Sequence, residues 1–121
     1  MSIFSNSTTA RSYQLTYYGQ ELILNEHVGN EWAHGVWLND IPLVKGEPVR
    51  LAAGRSYDLA IVAAEQEETY NDQGDESVVL SPALLAQSFP NGEFYLDVKV
   101  VEHNGRYAGG VAVWRFYFLL E

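Results

Sequence analysis

The sequence predicts an all-β fold: an antiparallel β-sandwich of seven or eight short strands, with a partly open β-barrel as the alternative. Short stretches of alternating apolar and polar residues recur along the chain, and turn-forming residues separate them about every ten residues. Only residues 81–87 favour a helical turn, with Ser81 as N-cap and Pro82 at its first position. Asn104-Gly105, between two apolar runs, is the strongest short-range signal of a β-hairpin.

Residues 1–12 are polar and rich in serine and threonine, so we expect a flexible N-terminal tail or a short edge strand there. Residues 13–121 are predicted to form a single β-sandwich domain. A chain of 121 residues, 47% of them apolar, can bury a core without covalent links. The absence of cysteine excludes a disulfide framework, thiolate metal sites and a cysteine nucleophile. Because the Cys–Trp–Cys pattern of immunoglobulin domains is also absent, Ig-like describes only the expected architecture.

The first predicted hairpin joins residues 13–18 to residues 21–26 through Gly19-Gln20, a Gly-X pair suited to a type II′ turn. Pairing across that turn places five apolar residues on one buried face, and these are Tyr13, Leu15, Tyr17, Leu22 and Leu24.

The middle of the chain predicts three further strands. Residues 36–38 form a short strand that turn residues end, and residues 47–51 and 56–64 follow as consecutive strands. The last of these is apolar on both faces after Asp58, which is typical of a central strand. A polar, acidic loop is expected at residues 65–77.

The closing hairpin pairs residues 94–101 with residues 111–120. Simple pairing outward from Asn104-Gly105 would place Trp114 on the same face as Asp97. One extra residue in the second strand reverses that parity, because the side-chain period of a strand is two. We therefore predict a β-bulge at residues 108–110, where glycine tolerates the required backbone. The predicted inner face then carries Phe94, Leu96, Val98, Val100, Ala112, Trp114, Phe116 and Phe118, and the outer face carries Tyr95, Asp97, Lys99, Val113, Arg115 and Tyr117.

The net charge of −9 argues against a protein that binds nucleic acid or an anionic membrane surface. Much of the acidity is local, because residues 65–76 contain six acids and no lysine or arginine. The six are Glu65, Glu67, Glu68, Asp72, Asp75 and Glu76. Such a run is typical of a solvated loop, and as a functional site it would dock on a basic protein partner. Calcium is a further alternative, although the spacing lacks the EF-hand order of ligands.

Two kinds of ligand site are considered in residues 26–37. Imidazole and carboxylate groups at His27, Glu31 and His34 could hold a divalent metal ion, although their spacing matches no known helical motif. Trp32 and Trp37 could stack on sugar rings, or they could seal the end of the core.

No nucleophile elbow, phosphate-binding loop or dinucleotide motif occurs in the sequence, so we expect no enzyme. The favoured hypothesis is a non-enzymatic interaction domain, such as an inhibitor, immunity-type or assembly protein, that docks on a protein partner through the acidic loop or associates with itself. The alternatives are a carbohydrate- or metal-binding module centred on residues 26–37 and a small metal-dependent enzyme. No cofactor is predicted other than a possible divalent metal ion. The sequence shows no secretory leader and no apolar run that could span a bilayer, so a cytoplasmic location is expected.

Overall fold

The computed structural model describes residues 12–66, 71–87 and 89–121, which form two antiparallel sheets of four strands each. The strands are β1 (Ser12–Asn25), β2 (Trp32–Leu38), β3 (Ile41–Pro42), β4 (Val49–Ala52), β5 (Tyr57–Gln66), β6 (Asn71–Leu80), β7 (Glu93–Val101) and β8 (Val111–Leu120). The first sheet has the order β4-β1-β8-β7 and the second has the order β3-β2-β5-β6. The prediction of an all-β, two-sheet fold is confirmed. The predicted N-terminal tail lies, except for Ser12, outside the described residues.

Inward-facing side chains from both sheets form one core. The largest fully buried members are Phe116 and Phe118 of the first sheet, which belong to the same core cluster as Leu59 and Ile61 of the second. Burying each of these side chains contributes about 1.5–3 kcal/mol, so the core accounts for the packing of one sheet on the other. β5 lies between β2 and β6, which confirms the prediction of a central strand.

Helical structure in the described ranges is short. The predicted helical turn is present as α1 (Pro82–Leu85), where the Ser81 hydroxyl oxygen accepts a hydrogen bond from the Leu84 N–H at 3.1 Å. A 3-10 turn, Pro90–Gly92, precedes β7. No helix in the described ranges is long and apolar enough to cross a membrane.

The predicted hairpin at Gly19-Gln20 is wrong, because β1 is one continuous strand of 14 residues. Gly19 does not adopt a positive φ and lies opposite Tyr117 of β8. The pairing of β1 with β8 contains two register shifts, at which Tyr18 and Ile23 are the extra residues. Each shift reverses the alternation, so Leu15, Tyr17 and Leu22 face the core as predicted while Leu24 is exposed.

The register predicted for the closing hairpin is confirmed. Phe94 pairs with Phe118, and Val98 pairs with Trp114, so the predicted inner and outer faces are the observed ones. The bulge is also present: the Gly109 N–H donates to the Glu102 carbonyl at 2.7 Å, and the Glu102 N–H donates to the Gly110 carbonyl at 2.9 Å. Glu102 on one side of the hairpin therefore faces both Gly109 and Gly110 on the other. Because Gly109 has φ 91°, this is a β-bulge that begins with glycine in the left-handed region.

The two-residue turn predicted at Asn104-Gly105 is not formed. Gly105 has a positive φ but Asn104 does not, and a loop at residues 102–110 connects the strands. A turn with both central residues at positive φ occurs instead at Asn39 and Asp40, with φ of 49° and 65°. It joins β2 to β3 and pairs Leu38 with Ile41.

The two sheets approach each other closely where β6 lies beside β7. Gly74 of β6 has no side chain, and a Cβ built there would overlap the Lys99 carbonyl oxygen of β7. The same built atom would lie 2.9 Å from the Lys99 carbonyl carbon and 3.1 Å from Val98 Cγ2. Only a residue without a Cβ allows this close approach of backbones.

Candidate functional site

Three tyrosines lie together on the solvent-facing side of the first sheet. Tyr95 of β7 and Tyr117 of β8 are direct cross-strand partners, and the register shift in β1 turns Tyr18 toward the same face. Tyr18 is 40% exposed and Tyr95 is 52% exposed. We call this surface the tyrosine platform, and its members are Tyr18, Tyr95 and Tyr117 with the surrounding charged residues Glu21, Glu93, Asp97 and Arg115.

Hydrogen bonds to carboxylates fix two of the rings. The Tyr18 hydroxyl donates to Glu93 Oε1 at 2.8 Å, and the Tyr117 hydroxyl donates to Glu21 Oε1 at 2.7 Å. The Tyr18 and Tyr117 rings are stacked with centroids 5.9 Å apart, and Tyr95 meets Tyr117 edge-on at 6.4 Å. The hydrogen bond to Glu93 raises the pKa of Tyr18, and the bond to Glu21 raises the pKa of Tyr117, because ionisation would place two negative charges side by side.

Arg115 is held at the other side of Tyr95. Its Nε and Nη2 donate to the two oxygens of Asp97 at 2.8 and 3.0 Å, which is a bidentate pair. Its guanidinium carbon lies 3.8 Å from the centre of the Tyr95 ring, within the range of a cation–π interaction. The hydrogen bonds to Asp97 raise the pKa of Arg115.

An open depression of about 320 Å³ adjoins the platform. Its lining consists of Tyr18, Pro90, Asn91, Glu93, Phe94, Tyr95 and Tyr117. Asn91, at φ 57°, is in the left-handed region that asparagine tolerates better than most residues, and it forms part of this lining. The platform is therefore an aromatic surface beside a shallow, mainly apolar hollow that contains one carboxylate, Glu93.

The predicted acidic loop is wrong as a structural element, because most of its described residues lie in paired strands. Glu65 belongs to β5, whereas Asp72, Asp75 and Glu76 belong to β6. Glu65 and Asp72 are cross-strand partners and are 5% and 1% exposed, whereas Asp75 and Glu76 are exposed. Glu67 and Glu68 lie outside the described residues. Glu65 and Asp72 therefore offer little surface to a partner.

The buried carboxylates hold loops at one end of the sandwich. Asp72 Oδ1 lies 3.1 Å from His103 Nδ1 and accepts the His103 backbone N–H at 3.3 Å. Glu65 Oε2 accepts the Glu31 backbone N–H at 3.4 Å, and Glu102 Oε2 accepts that of Asn104 at 3.4 Å. These contacts tie residues 26–31 and 102–110 to the strand ends.

The three candidate metal ligands, His27, Glu31 and His34, lie in different environments. His27 is exposed and stacks on Tyr107 with centroids 4.2 Å apart, and Glu31 is exposed. His34 faces the core, where its ring packs edge-on against Trp114 at 4.1 Å. Burial lowers the pKa of His34, and the nearby positive charge of Lys45 lowers it further. Across the three described ranges, no group of three or more histidine, aspartate or glutamate side chains is arranged to hold a metal ion.

The two tryptophan candidates have different environments. Trp32 packs edge-on against Trp114 at 5.4 Å, and its indole N–H donates to the Gly29 carbonyl at 3.2 Å. Trp37 is on the outer face of the second sheet, where its ring lies in the space that a Cβ at Gly35 would occupy. Trp32 therefore packs on the core, whereas Trp37 covers an outer surface.

Sequence reasoning placed Tyr95, Arg115 and Tyr117 on the outer face but did not recognise them as a site. The signal was the outward alternation of aromatic and charged residues on two neighbouring strands. Tyr18 could not be assigned to the same face, because its orientation depends on a register shift that only the pairing with β8 reveals. Neither a protein-family model nor a curated protein matches the chain.

Proposed function

We propose that this chain is a non-enzymatic protein-interaction domain and that the tyrosine platform is its binding surface. The observation that supports the proposal is the pre-arranged set of three tyrosines and Arg115 on one sheet face. Tyrosine and arginine are enriched among the residues that dominate binding energy at protein interfaces. Because carboxylates already hold the Tyr18 and Tyr117 rings and the Arg115 guanidinium, binding would cost less side-chain entropy than on a mobile surface.

The platform takes the place of the acidic segment in this proposal. An inhibitor, immunity-type or assembly protein needs an accessible surface, and Glu65 and Asp72 are buried. Glu21, Glu93 and Asp97 supply accessible carboxylates on the platform itself. Asp75 and Glu76 lie on the second sheet and are not part of this surface.

Tyr95→Ala tests the proposal, with Tyr107→Ala as the matched control. Tyr107 is similarly exposed, at 44%, but lies in the loop at residues 102–110. Loss of one interface anchor commonly costs about 2 kcal/mol, so capture of the cellular partner should weaken about thirtyfold for Tyr95→Ala and little for the control. The measurement is quantitative affinity capture with mass spectrometry, alongside a thermal melt of each variant.

Equal capture by Tyr95→Ala and the unaltered chain would contradict the proposal. Loss of capture by both tyrosine variants would also contradict it, because the effect would then not be specific to the platform.

A second candidate function is carbohydrate binding at Trp37. The observation that favours it is the position of the indole on the outer face, next to the small side chain Ala60 and over Gly35. Flat aromatic surfaces of this kind can stack on sugar rings. Trp37→Ala should abolish binding to a glycan array without a large change in melting temperature, whereas unaltered glycan signals, or none for the parent chain, would contradict it.

A further inference from the structure

We infer that the depression beside Tyr18, Tyr117 and Glu93 binds a lysine or arginine side chain presented by a basic segment of the partner protein. This inference rests on the proposed function and names the chemistry of the partner. It concerns the part of the platform where Tyr18 and Tyr117 lie beside Glu93.

The platform already contains one example of the interaction. Arg115 lies over the Tyr95 ring, and Asp97 accepts two hydrogen bonds from its guanidinium. A ring face and a carboxylate on β7 thus hold the guanidinium of the neighbouring strand β8 in one orientation.

The depression combines aromatic rings with a carboxylate in the same way, and none of its described lining residues is a lysine or an arginine. The Tyr18 and Tyr117 rings supply aromatic surface, and Glu93 supplies a carboxylate at the edge of the hollow. The Tyr18 hydroxyl donates to Glu93 Oε1. Within the part of the chain that the structure describes, Glu93 Oε2 is therefore available to an incoming donor. The volume of about 320 Å³ accommodates the end of a long side chain, and Pro90 and Asn91 would pack against its alkyl portion.

The charge distribution favours a basic segment over a neutral or acidic one. The chain carries a net charge of −9, and Glu93 lies at the depression, whereas Glu21 is the cross-strand partner of Arg115. Arg115 is neutralised by Asp97. Lys99 lies six residues beyond Glu93 on the same strand, about 20 Å away, so it does not offset the local negative charge.

The experiment is an NMR titration of the ¹⁵N-labelled chain with a hexa-arginine peptide. A hexa-citrulline peptide of the same length is the neutral comparison. The inference expects saturable shifts at residues 18, 90–95 and 117 with hexa-arginine and none with hexa-citrulline. Glu93→Gln should weaken binding about fivefold, since it removes the charge and keeps the shape of the side chain.

Asp75→Asn is the control, because Asp75 is an exposed acid on the second sheet and its loss changes the net charge by the same amount. Unchanged affinity in this variant supports a local site. An equal loss in Asp75→Asn and Glu93→Gln overturns the inference, because attraction would then follow net charge alone. Equal binding of hexa-citrulline, or shifts centred elsewhere, also overturns it.

The two proposals fail in different ways. If Tyr95→Ala abolishes capture of the cellular partner while Glu93→Gln has no effect on capture or on hexa-arginine binding, the platform is an interface but the cation site is wrong. If hexa-arginine binds as expected and Tyr95→Ala leaves capture unaltered, the cation site is supported and the proposed interface is wrong.

Discussion

Gly74 offers a direct test of the close approach between β6 and β7. In Gly74→Ala the new methyl group would overlap the Lys99 carbonyl oxygen and would lie 2.9 Å from the carbonyl carbon. Ordinary carbon–carbon contacts are about 3.5–4.0 Å, so the two strands must separate by at least about 0.6 Å. Because the obstacle is backbone rather than the end of a flexible side chain, the strain cannot be relieved by a rotamer change.

The expected cost follows from this geometry. Inserting a methyl group into a closely packed site typically costs about 1–3 kcal/mol. The same glycine-to-alanine change in open space stabilises by about 0.4–1 kcal/mol through the unfolded chain. Gly19→Ala is the matched control, since Gly19 also lies in a strand without a positive φ and a Cβ there meets nothing within 4 Å. The two variants should therefore differ by about 1.4–4 kcal/mol, or about 6–16 °C in melting temperature.

Chemical unfolding in urea and a thermal melt of both variants provide the measurement. The free energy of unfolding should fall for Gly74→Ala and stay equal or rise for Gly19→Ala. If the two variants unfold at the same midpoint, β6 and β7 do not approach as described, and the closure of the sandwich along this edge is refuted.

Three further predictions follow from individual side chains. Burial lowers the pKa of His34 below the unfolded value of 6.5, so the unfolded chain takes up that proton first and stability falls as the pH drops below about 6.5. His34→Phe should reduce this loss of stability, measured by urea unfolding at several pH values. An unchanged dependence of the unfolding free energy on pH, or the same reduction in the exposed control His27→Asn, would refute the prediction. Asp40→Gly should raise the free energy of unfolding by about 0.5 kcal/mol, because Asp40 has φ 65°, and a lower melting temperature would show that the turn is not strained. Glu21→Gln should lower the pKa of Tyr117 toward 10 in a ¹³C NMR titration, and an unmoved Tyr117 would exclude the hydrogen bond.

The sequence was sufficient where local alternation and burial agree. The register of β7 against β8 could be predicted because one parity buries Trp114, Phe116 and Phe118 together and the other mixes them with Asp97. β5 could be recognised as central because it is apolar on both faces. In both cases the strand's own composition contains the information.

The sequence was insufficient where a glycine or asparagine serves two structures equally well. Gly19 suits a tight turn and also an irregular position in a strand, and the choice depends on pairing with β8, which is almost 100 residues away along the chain. Asn104-Gly105 has the stronger turn signal, yet the two-residue turn with positive φ forms at Asn39 and Asp40. Because Leu38 pairs with Ile41, the connection between β2 and β3 has only two residues, whereas the bulge at Gly109 accompanies a longer loop after β7.

The cost of burying Arg115 connects these irregularities to the platform. Without the extra residue at Gly109, the alternation of β8 would turn Arg115 and Tyr117 inward and Trp114 outward. Enclosing a guanidinium among apolar side chains costs several kcal/mol even after relaxation, so the bulged register is strongly favoured. The shift at Tyr18 then adds the third ring to the outer face. Glu93, which accepts the Tyr18 hydroxyl, is also the group that would meet a cation in the proposed site. Under that proposal, the orientation of the Tyr18 ring and selectivity for a basic partner would depend on the same carboxylate.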